Sequence, residues 1–158
     1  MIKQPASRSC FVCGRGNLHG LKLAFYETAP GEVTANYTVP AHYQSYPGVT
    51  HGGVVAAMLD EVTGRSFSHS GETRFMVTAK LEIRYRKPVP VGQPLRIVGH
   101  AGNDNGHVGH AHGEIYSMDG VVLAEADAVL VDLPEDVISD ADFEALGWKV
   151  YPDEEETV

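Results

Sequence analysis

The sequence has few cysteines, no long apolar run and no excess of basic residues, and each shortage excludes a class of protein. Two cysteines cannot complete a four-thiolate metal site. The apolar runs are far shorter than the ~20 residues that span a bilayer. The opening Met-Ile-Lys-Gln-Pro also lacks the apolar stretch of a signal peptide. These shortages predict a cytoplasmic protein with no membrane partner.

Net charge is nearly zero over the first 134 residues. Residues 135–158 hold nine acids and one lysine, a local charge of −8, which leaves −1 of the total −9 for the rest. This division predicts a globular domain over 1–134, which includes the N-terminal Cys-x-x-Cys segment. An acidic, solvated tail follows over 135–158, with a short helix at "DADFEALGW". A duplex-binding surface needs a basic excess, so nucleic acid is excluded as a partner.

Metal-ligating residue types are present, but their spacing favours no metal site. Cys10 and Cys13 form "CFVCG", and His19 is the only further ligand nearby, so two reduced thiols are the favoured interpretation. His110 and His112 would share one face of a strand. A solvated strand face is commoner than a metal site there, and we therefore predict no metal.

Hydrophobic periodicity predicts one helix among six strands, in the order β, β, α, β, β, β, β. Strands are expected where apolar and polar residues alternate, and a turn at Asp119-Gly120 joins the last two. The six segments are "LKLAFYET", "VTANYTV", "FMVTAKLEIRYR", "LRIVGHAG", "GHVGHAHGEIYSM" and "VVLAEADAVLVDL". The α+β fold that buries both kinds of element is an antiparallel sheet wrapped around one long central helix.

The helix within "YPGVTHGGVVAAMLDEVTG", residues 46–64, has a wide apolar stripe and a second face of small residues. Gly53 and Asp60 are seven residues apart and therefore nearly in line on that second face. Glu61 is turned away by a further 100° and is the weaker candidate. Glycine at the helix entry lets a ligand approach backbone N–H groups that lack intrahelical partners. Such donors suit a carbonyl oxygen that gains negative charge.

The stretch "HGGVVAAMLDEVTG", with "YPGVT" before it and "TAKLEIRYRKPVPVGQPL" after it, resembles the hotdog-fold acyl-CoA thioesterases of the phenylacetate-pathway type. The opening "CFVCGRGNLHGLKLAF" also looks like the start of many bacterial members. The resemblance spans most of residues 10–133. It implies the hotdog fold and hydrolysis of an acyl-CoA to a carboxylic acid and free CoA, with no cofactor beyond the CoA of the substrate.

The resemblance also implies residue roles. His51, Gly52 and Gly53 match the helix entry of the family, where the Gly52 amide polarises the thioester carbonyl. Asp60 matches the acid that serves as general base or, in some proposals, as nucleophile. Two further positions complete the implied site: Thr78 helps to hold the water, and Ser45 stands where several members have Asn or Gln, with Gln44 beside it.

Coenzyme A is a polyanion, and half of the twelve basic residues lie between positions 74 and 96. Lys80, Arg84 and Arg86 share one strand face, opposite Leu81, Ile83 and Tyr85. Arg84, Arg86 and Lys87, with Gly53 at the helix entry, are the predicted substrate-binding residues. An ordinary solvated sheet face is the equally weighted alternative.

Two other functions use the same residues. The first is a non-catalytic acyl-CoA-binding module, and the second is hydration or dehydration of an enoyl thioester with His42 or His51 as base. The acyl group itself is not encoded in a recognisable pattern. Tyr43, Tyr46 and Phe67 are candidates to line an aryl or medium-chain pocket.

Spacing also predicts the assembly. Gly52 and Asp60 are eight residues apart, which is roughly 12 Å along a helix axis, so one carbonyl cannot touch both. If both act on one thioester, a second subunit supplies the acid, with two helices antiparallel about a two-fold axis. The resemblance implies the same homodimer, often paired again into a tetramer.

Overall fold

The computed structural model describes residues 1–137 and 140–153, with the side chains of residues 140 and 141 excluded. Within these ranges the chain forms one seven-stranded antiparallel sheet around a single long helix, which confirms the predicted α+β hotdog architecture. The strands are β1 (Ile2–Lys3), β2 (Tyr26–Ala29), β3 (Glu32–Thr38), β4 (Met76–Tyr85), β5 (Pro94–Asp104), β6 (Val108–Ser117) and β7 (Val122–Asp132). The helices are α1 (Gly52–Arg65) and α2 (Asp140–Leu146), with a 3₁₀ turn at Ala41–Tyr43.

The strand order across the sheet is β1-β2-β3-β5-β6-β7-β4, so β4 is the terminal strand on one side. Its partner β7 runs alongside it from Met76 to Tyr85, with one irregularity between Thr78 and Lys80. The other long edge of β4 pairs with no strand in the part of the chain that the structure describes. Unpaired edges of this length are templates for pairing with another chain.

Helix α1 packs its apolar stripe against the inner face of the sheet. Met58, Leu59 and Val62 have no exposed surface, as the helical periodicity predicts. The sheet accommodates the helix through glycines in β5 and β6. A Cβ at Gly99 would lie 2.3 Å from the carbonyl oxygen of Val62, so only glycine allows the backbones to approach this closely.

The first predicted strand begins later than the sequence pattern indicates. Leu21, Leu23 and Phe25 are buried, but regular strand structure begins only at Tyr26. Residues 21–23 hydrogen-bond to the N-terminal segment instead: the Leu23 N–H donates to the Val12 carbonyl over 2.9 Å. The apolar alternation therefore marks burial against a loop, which periodicity alone does not distinguish from burial in a sheet.

The C-terminal segment lies against the N-terminal one. The backbones of Ala6 and Lys149 exchange two hydrogen bonds, of 2.9 and 3.2 Å. The Trp148 ring lies 5.3 Å from that of Phe75, measured between centroids. Helix α2 falls within "DADFEALGW", while residues 138, 139 and 154–158 of the acidic tail lie outside the described residues. The domain boundary after residue 134 stays a prediction.

No helix in the described part of the chain combines the length and the apolar character needed to cross a bilayer. The cytoplasmic location stays a prediction.

Candidate active site

The entry of α1 is fixed by its own histidine. His51 is the N-cap, and its Nδ1 accepts a hydrogen bond from the Gly53 N–H over 2.9 Å. The His51 N–H in turn donates to the Tyr43 carbonyl over 2.9 Å, which ties the helix to the preceding loop. Gly52 is the first helical residue, and its N–H has no acceptor among the described residues. Of the two glycine amides, the Gly52 amide is the one left for a ligand.

Tyr85 at the end of β4 lies over this helix entry. Its hydroxyl donates to the Gly52 carbonyl over 2.7 Å, although the side chain is half exposed. A Cβ at Gly52 would lie 3.5 Å from the same hydroxyl, which is an ordinary contact. Tyr85 therefore orients the peptide after Gly52. The sequence placed it correctly on the Leu81–Ile83 face but gave no signal for this hydrogen bond.

Asp60 and Thr78 meet on the opposite half of α1. The Thr78 hydroxyl donates to Oδ1 of Asp60 over 2.6 Å, so the structure brings together the two residues that the resemblance pairs. Oδ2 of Asp60 has no partner among the described residues. The carboxylate is half-buried, held at one oxygen and open at the other, which suits it to accept a proton from a bound water.

A cavity of about 290 Å³ extends from Asp60 and Thr78. Its lining residues come mainly from α1, β4, the 68–75 segment between them, the N-terminal segment and Trp148. Its apolar lining includes Phe75, Met76 and Leu130. The volume is near the lower end of the range for small-molecule pockets. The carboxylate therefore stands beside a mainly apolar chamber.

The aromatic residues proposed from the sequence lie elsewhere. Tyr43 donates its hydroxyl to the carbonyls of the 19–20 loop, Tyr46 is 79% exposed, and Phe67 packs into a separate cluster under the sheet. None of the three lines the cavity beside Asp60. Phe75 and Trp148 are the aromatic residues there, and Trp148 lies 70 positions after Thr78, beyond the reach of local patterns.

Ser45 and Gln44 lie on the exposed loop before α1. The Ser45 hydroxyl is 3.5 Å from the Val49 carbonyl, at the limit of a hydrogen bond. Oε1 of Gln44 accepts from the Gly48 N–H over 3.2 Å and holds the turn at Gly48. The hydrogen bonds of both side chains thus stay within the loop, and neither side chain bonds to Gly52.

The basic residues do not form one continuous patch. Arg84, Arg86 and Lys87 are exposed at the end of β4, but Glu125 of β7 lies between the two arginines, 2.8 Å from Arg86 and 3.9 Å from Arg84. The hydrogen bond from Arg86 holds the pKa of Glu125 below its usual value. Arg74 lies apart, bound to Asp104 and Asp132. Part of the positive charge at Arg84 and Arg86 is therefore already neutralised.

Two of the three histidines of "HVGHAHGEI", His107 and His112, lie beside acids. His112 lies 2.8 Å from Asp127 through Nδ1 and 3.8 Å from Glu114 through Nε2. The one described group of three or more potential ligands in mutual reach is elsewhere, and consists of Cys10, Cys13 and Glu61. A hydrogen bond from the Cys13 thiol is the largest cause that lowers the pKa of Cys10 to about 6.

Comparisons with known proteins bear on the family and the fold of the chain. Residues 47–124 match the family model described as the thioesterase superfamily. The acyl-coenzyme A thioesterase THEM4 of Rattus norvegicus is 33% identical over 67 residues, which are 42% of this chain and 28% of that protein. The chain thus spans less than a third of the length of this curated relative.

Solved structures place the fold in the same group. The thioesterase superfamily protein RHA08564 superposes with a TM-score of 0.70 at 30% identity, over 78% of this chain and 63% of that one. Two more distant structures share the fold alone. A Streptococcus mutans protein bound to acetyl-CoA has a TM-score of 0.63 at 21% identity, over 70% of this chain and 88% of that one. The E. coli PaaI protein has a TM-score of 0.63 at 16% identity, over 72% of this chain and 81% of that one. Residues 47–124 therefore belong to the thioesterase superfamily, and the domain that contains them has the hotdog fold.

Proposed function

We propose that the protein hydrolyses an acyl-CoA thioester to a carboxylic acid and free CoA. The observation that carries the proposal is the Asp60 carboxylate, held by Thr78 at one oxygen and open at the other beside a mainly apolar cavity. The unpaired Gly52 amide supplies the second requirement, a preorganised donor for an oxyanion. THEM4, the curated relative, is named as an enzyme of this activity.

The reaction follows from these two groups. Oδ2 of Asp60 takes a proton from water as the water oxygen attacks the thioester carbon. The carbonyl oxygen becomes an oxyanion and accepts a hydrogen bond from the Gly52 N–H. The tetrahedral intermediate then collapses, the carbon–sulfur bond breaks, and the CoA thiolate receives the proton from Asp60. Tyr85 orients the peptide after Gly52 through its hydrogen bond to the Gly52 carbonyl. His51 accepts the hydrogen bond from the Gly53 N–H, so that amide is not available to the substrate.

One subunit cannot present both groups to one carbonyl. Eight residues of α1 separate Gly52 from Asp60 by roughly 12 Å along the axis. A homodimer resolves this if two α1 helices run antiparallel, so that each helix entry faces the partner's acid. The unpaired edge of β4, with Val77 48% exposed, is a surface that such a dimer would cover. Pairing of dimers into a tetramer stays an implication of the family resemblance.

The cavity is the proposed acyl site, because it begins at the reacting carboxylate and is lined mainly by apolar groups. Its wall includes residues from both ends of the chain, Gln4 and Trp148, which lie outside the family-model match of 47–124. Acyl selectivity is then set in part by segments outside the family-model match. A mainly apolar pocket of this kind discriminates by shape and size.

The test is release of free CoA from a panel of phenylacetyl, hydroxybenzoyl, short-chain and long-chain CoA esters. We expect thiol release from at least one class with multiple turnovers. Tight binding without turnover across the panel would instead support the acyl-CoA-binding module. Water addition to crotonyl-CoA would support the hydratase. The structure offers little for the latter with His51 as base, because its Nδ1 lone pair already accepts from Gly53.

Coenzyme A is expected to lie across the end of β4, where Arg84, Arg86 and Lys87 are exposed. The double variant Arg84→Gln/Arg86→Gln should raise KM for CoA esters about 10-fold, since that corresponds to ~1.4 kcal/mol of lost phosphate attraction. KM for a small thioester without the nucleotide should not change. Steady-state kinetics with both substrates makes the comparison.

Glu125→Gln is the matched control for this surface. It removes the acid between the two arginines and should lower KM for CoA esters, because more positive charge is then left for the phosphates. Equal effects of the double variant on KM for both substrates would show that these arginines do not bind CoA. That result would not contradict the proposed chemistry at Asp60.

A further inference from the structure

The turn "CFVCG" holds two sulfur atoms in a fixed arrangement. Sγ of Cys10 accepts hydrogen bonds from the N–H groups of Val12 and Cys13, over 3.3 and 3.5 Å. The Gly14 N–H closes the turn onto the Cys10 carbonyl over 2.9 Å. A Cβ at Gly14 would lie 2.2 Å from that carbonyl oxygen, so the turn requires glycine there. The Cys-x₂-Cys spacing is one that tetrahedral zinc sites use.

A carboxylate from α1 completes the cluster. Oε2 of Glu61 lies 3.9 Å from Sγ of Cys10, and Oε1 of Glu61 is held by Nε of Arg65 over 2.8 Å. The three ligand atoms all lie within 4.8 Å of one another. Around a tetrahedral zinc ion, bonds of about 2.3 Å to sulfur and 2.0–2.2 Å to oxygen put neighbouring ligands roughly 3.5–3.8 Å apart. Each distance between ligand atoms in the cluster therefore needs to shorten by about 1.3 Å at most.

Burial and charge also fit a cation. Cys13 is 1% exposed, while Cys10 is partly exposed and gives a path of entry. Two thiolates and one carboxylate carry three negative charges, which a divalent ion and the adjacent Arg65 would balance. Arg65 is itself buried and anchored to the Pro5 carbonyl over 2.9 Å, so its charge is fixed beside the cluster.

We propose that Cys10, Cys13 and Glu61 bind a thiophilic divalent cation, with zinc as the expected ion and water in the fourth position. Thiolate ligands select zinc over the hard cations magnesium and calcium. The ion would join the N-terminal segment to α1 one residue after Asp60, and so brace the wall of the cavity. The sequence predicts no metal because the third ligand lies 51 residues after Cys10.

The test uses the full-length chain, reduced and freed of metal, and titrated with Co²⁺ as a spectroscopic probe. We expect one Co²⁺ per chain with a sulfur-to-cobalt charge-transfer band, and displacement of Co²⁺ by Zn²⁺. Cys10→Ser and Cys13→Ser should each weaken binding at least about 100-fold, because loss of even a group that only orients a metal ligand costs about 10–100-fold. Glu61→Gln should weaken binding and keep the charge-transfer band.

Two control variants localise the site. Glu72→Gln changes an acid that lines the cavity beside Asp60 but lies outside the cysteine cluster. His112→Asn changes a histidine on the outer surface of the sheet. Neither substitution should alter Co²⁺ binding. Zn²⁺ should also protect both thiols of the unmodified protein from alkylation, a measurement that does not depend on whether a cysteine variant folds.

Three results would each overturn the proposal. The first is a reduced protein with two titratable thiols and no charge-transfer band at millimolar Co²⁺. The second is stoichiometric binding that survives both cysteine substitutions. The third is formation of a Cys10–Cys13 disulfide with a disulfide oxidant while the reduced form binds no metal, which would identify the pair as a redox couple instead. None of these outcomes bears on hydrolysis at Asp60.

Discussion

Replacing Asp60 with asparagine is expected to lower kcat for acyl-CoA hydrolysis at least about 100-fold, the lower end of what loss of a general base costs. Asparagine keeps the shape and can still accept the hydrogen bond from Thr78, so the acyl cavity should stay intact. It cannot take a proton from water at neutral pH. KM should therefore change little, and steady-state kinetics on the preferred CoA ester measures both.

Asp127→Asn is the matched control, because Asp127 is an exposed acid of β7 that pairs with His112, away from the cavity. Its kcat should equal that of the unsubstituted protein. Thr78→Val adds a graded test: it removes the hydrogen bond that orients Asp60 and should reduce kcat by less than Asp60→Asn does. Near-normal turnover by Asp60→Asn would remove Asp60 from the chemistry and leave the proposed mechanism without a base.

Local patterns were sufficient to predict the helix and the acid on it. The apolar stripe that contains Met58, Leu59 and Val62 requires only the 3.6-residue period. The Gly53–Asp60 alignment follows from the same geometry. These features depend on residues within one element, and the structure places them as expected.

Contacts between distant segments could not be predicted in this way. Trp148 and Gln4 form part of the cavity wall, yet neither shows a pattern that points to Asp60. Glu125 opposes Arg84 in the register of β4 and β7, and a sequence alone does not give that register. The prediction of a basic surface therefore did not include Glu125, which partly neutralises that surface.

The position of Glu61 was also only partly predictable from the sequence. Helical geometry predicted that it turns away from the small-residue face and made it the weaker candidate for the reaction. Its neighbour is Cys10, and the path of the N-terminal segment across α1 decides that contact. That crossing depends on backbone hydrogen bonds such as Leu21 N–H to the Phe11 carbonyl, 2.7 Å, which no periodicity encodes.

Mixing two inactive variants is expected to restore about a quarter of the wild-type number of active sites, if each site takes Gly52 from one subunit and Asp60 from the other. The variants are Asp60→Asn and Gly52→Pro. Proline is tolerated at the first helical position and removes the amide proposed to bind the oxyanion. The structure supports this choice, because Gly52 is that first position and His51 already has the extended backbone that a residue before proline requires.

The expected fraction follows from random pairing about a two-fold axis. Half of the dimers formed after co-refolding equal amounts are mixed, and each mixed dimer has one intact and one doubly damaged site. Gly52→Ala is the control for the helix entry. This variant keeps the amide, and its Cβ would make only an ordinary contact with Tyr85. Activity in its mixture with Asp60→Asn would therefore show that the helix entry tolerates a side chain.

Active-site titration or kcat per chain, measured before and after co-refolding, gives the result. Each variant alone should be nearly inactive, and refolding them separately before mixing should restore nothing unless subunits exchange. If co-refolded material also stays inactive while size-exclusion chromatography shows dimers, both groups act within one chain. The 12 Å separation along α1 would then have to be bridged by the substrate itself, and the two-subunit mechanism would be wrong.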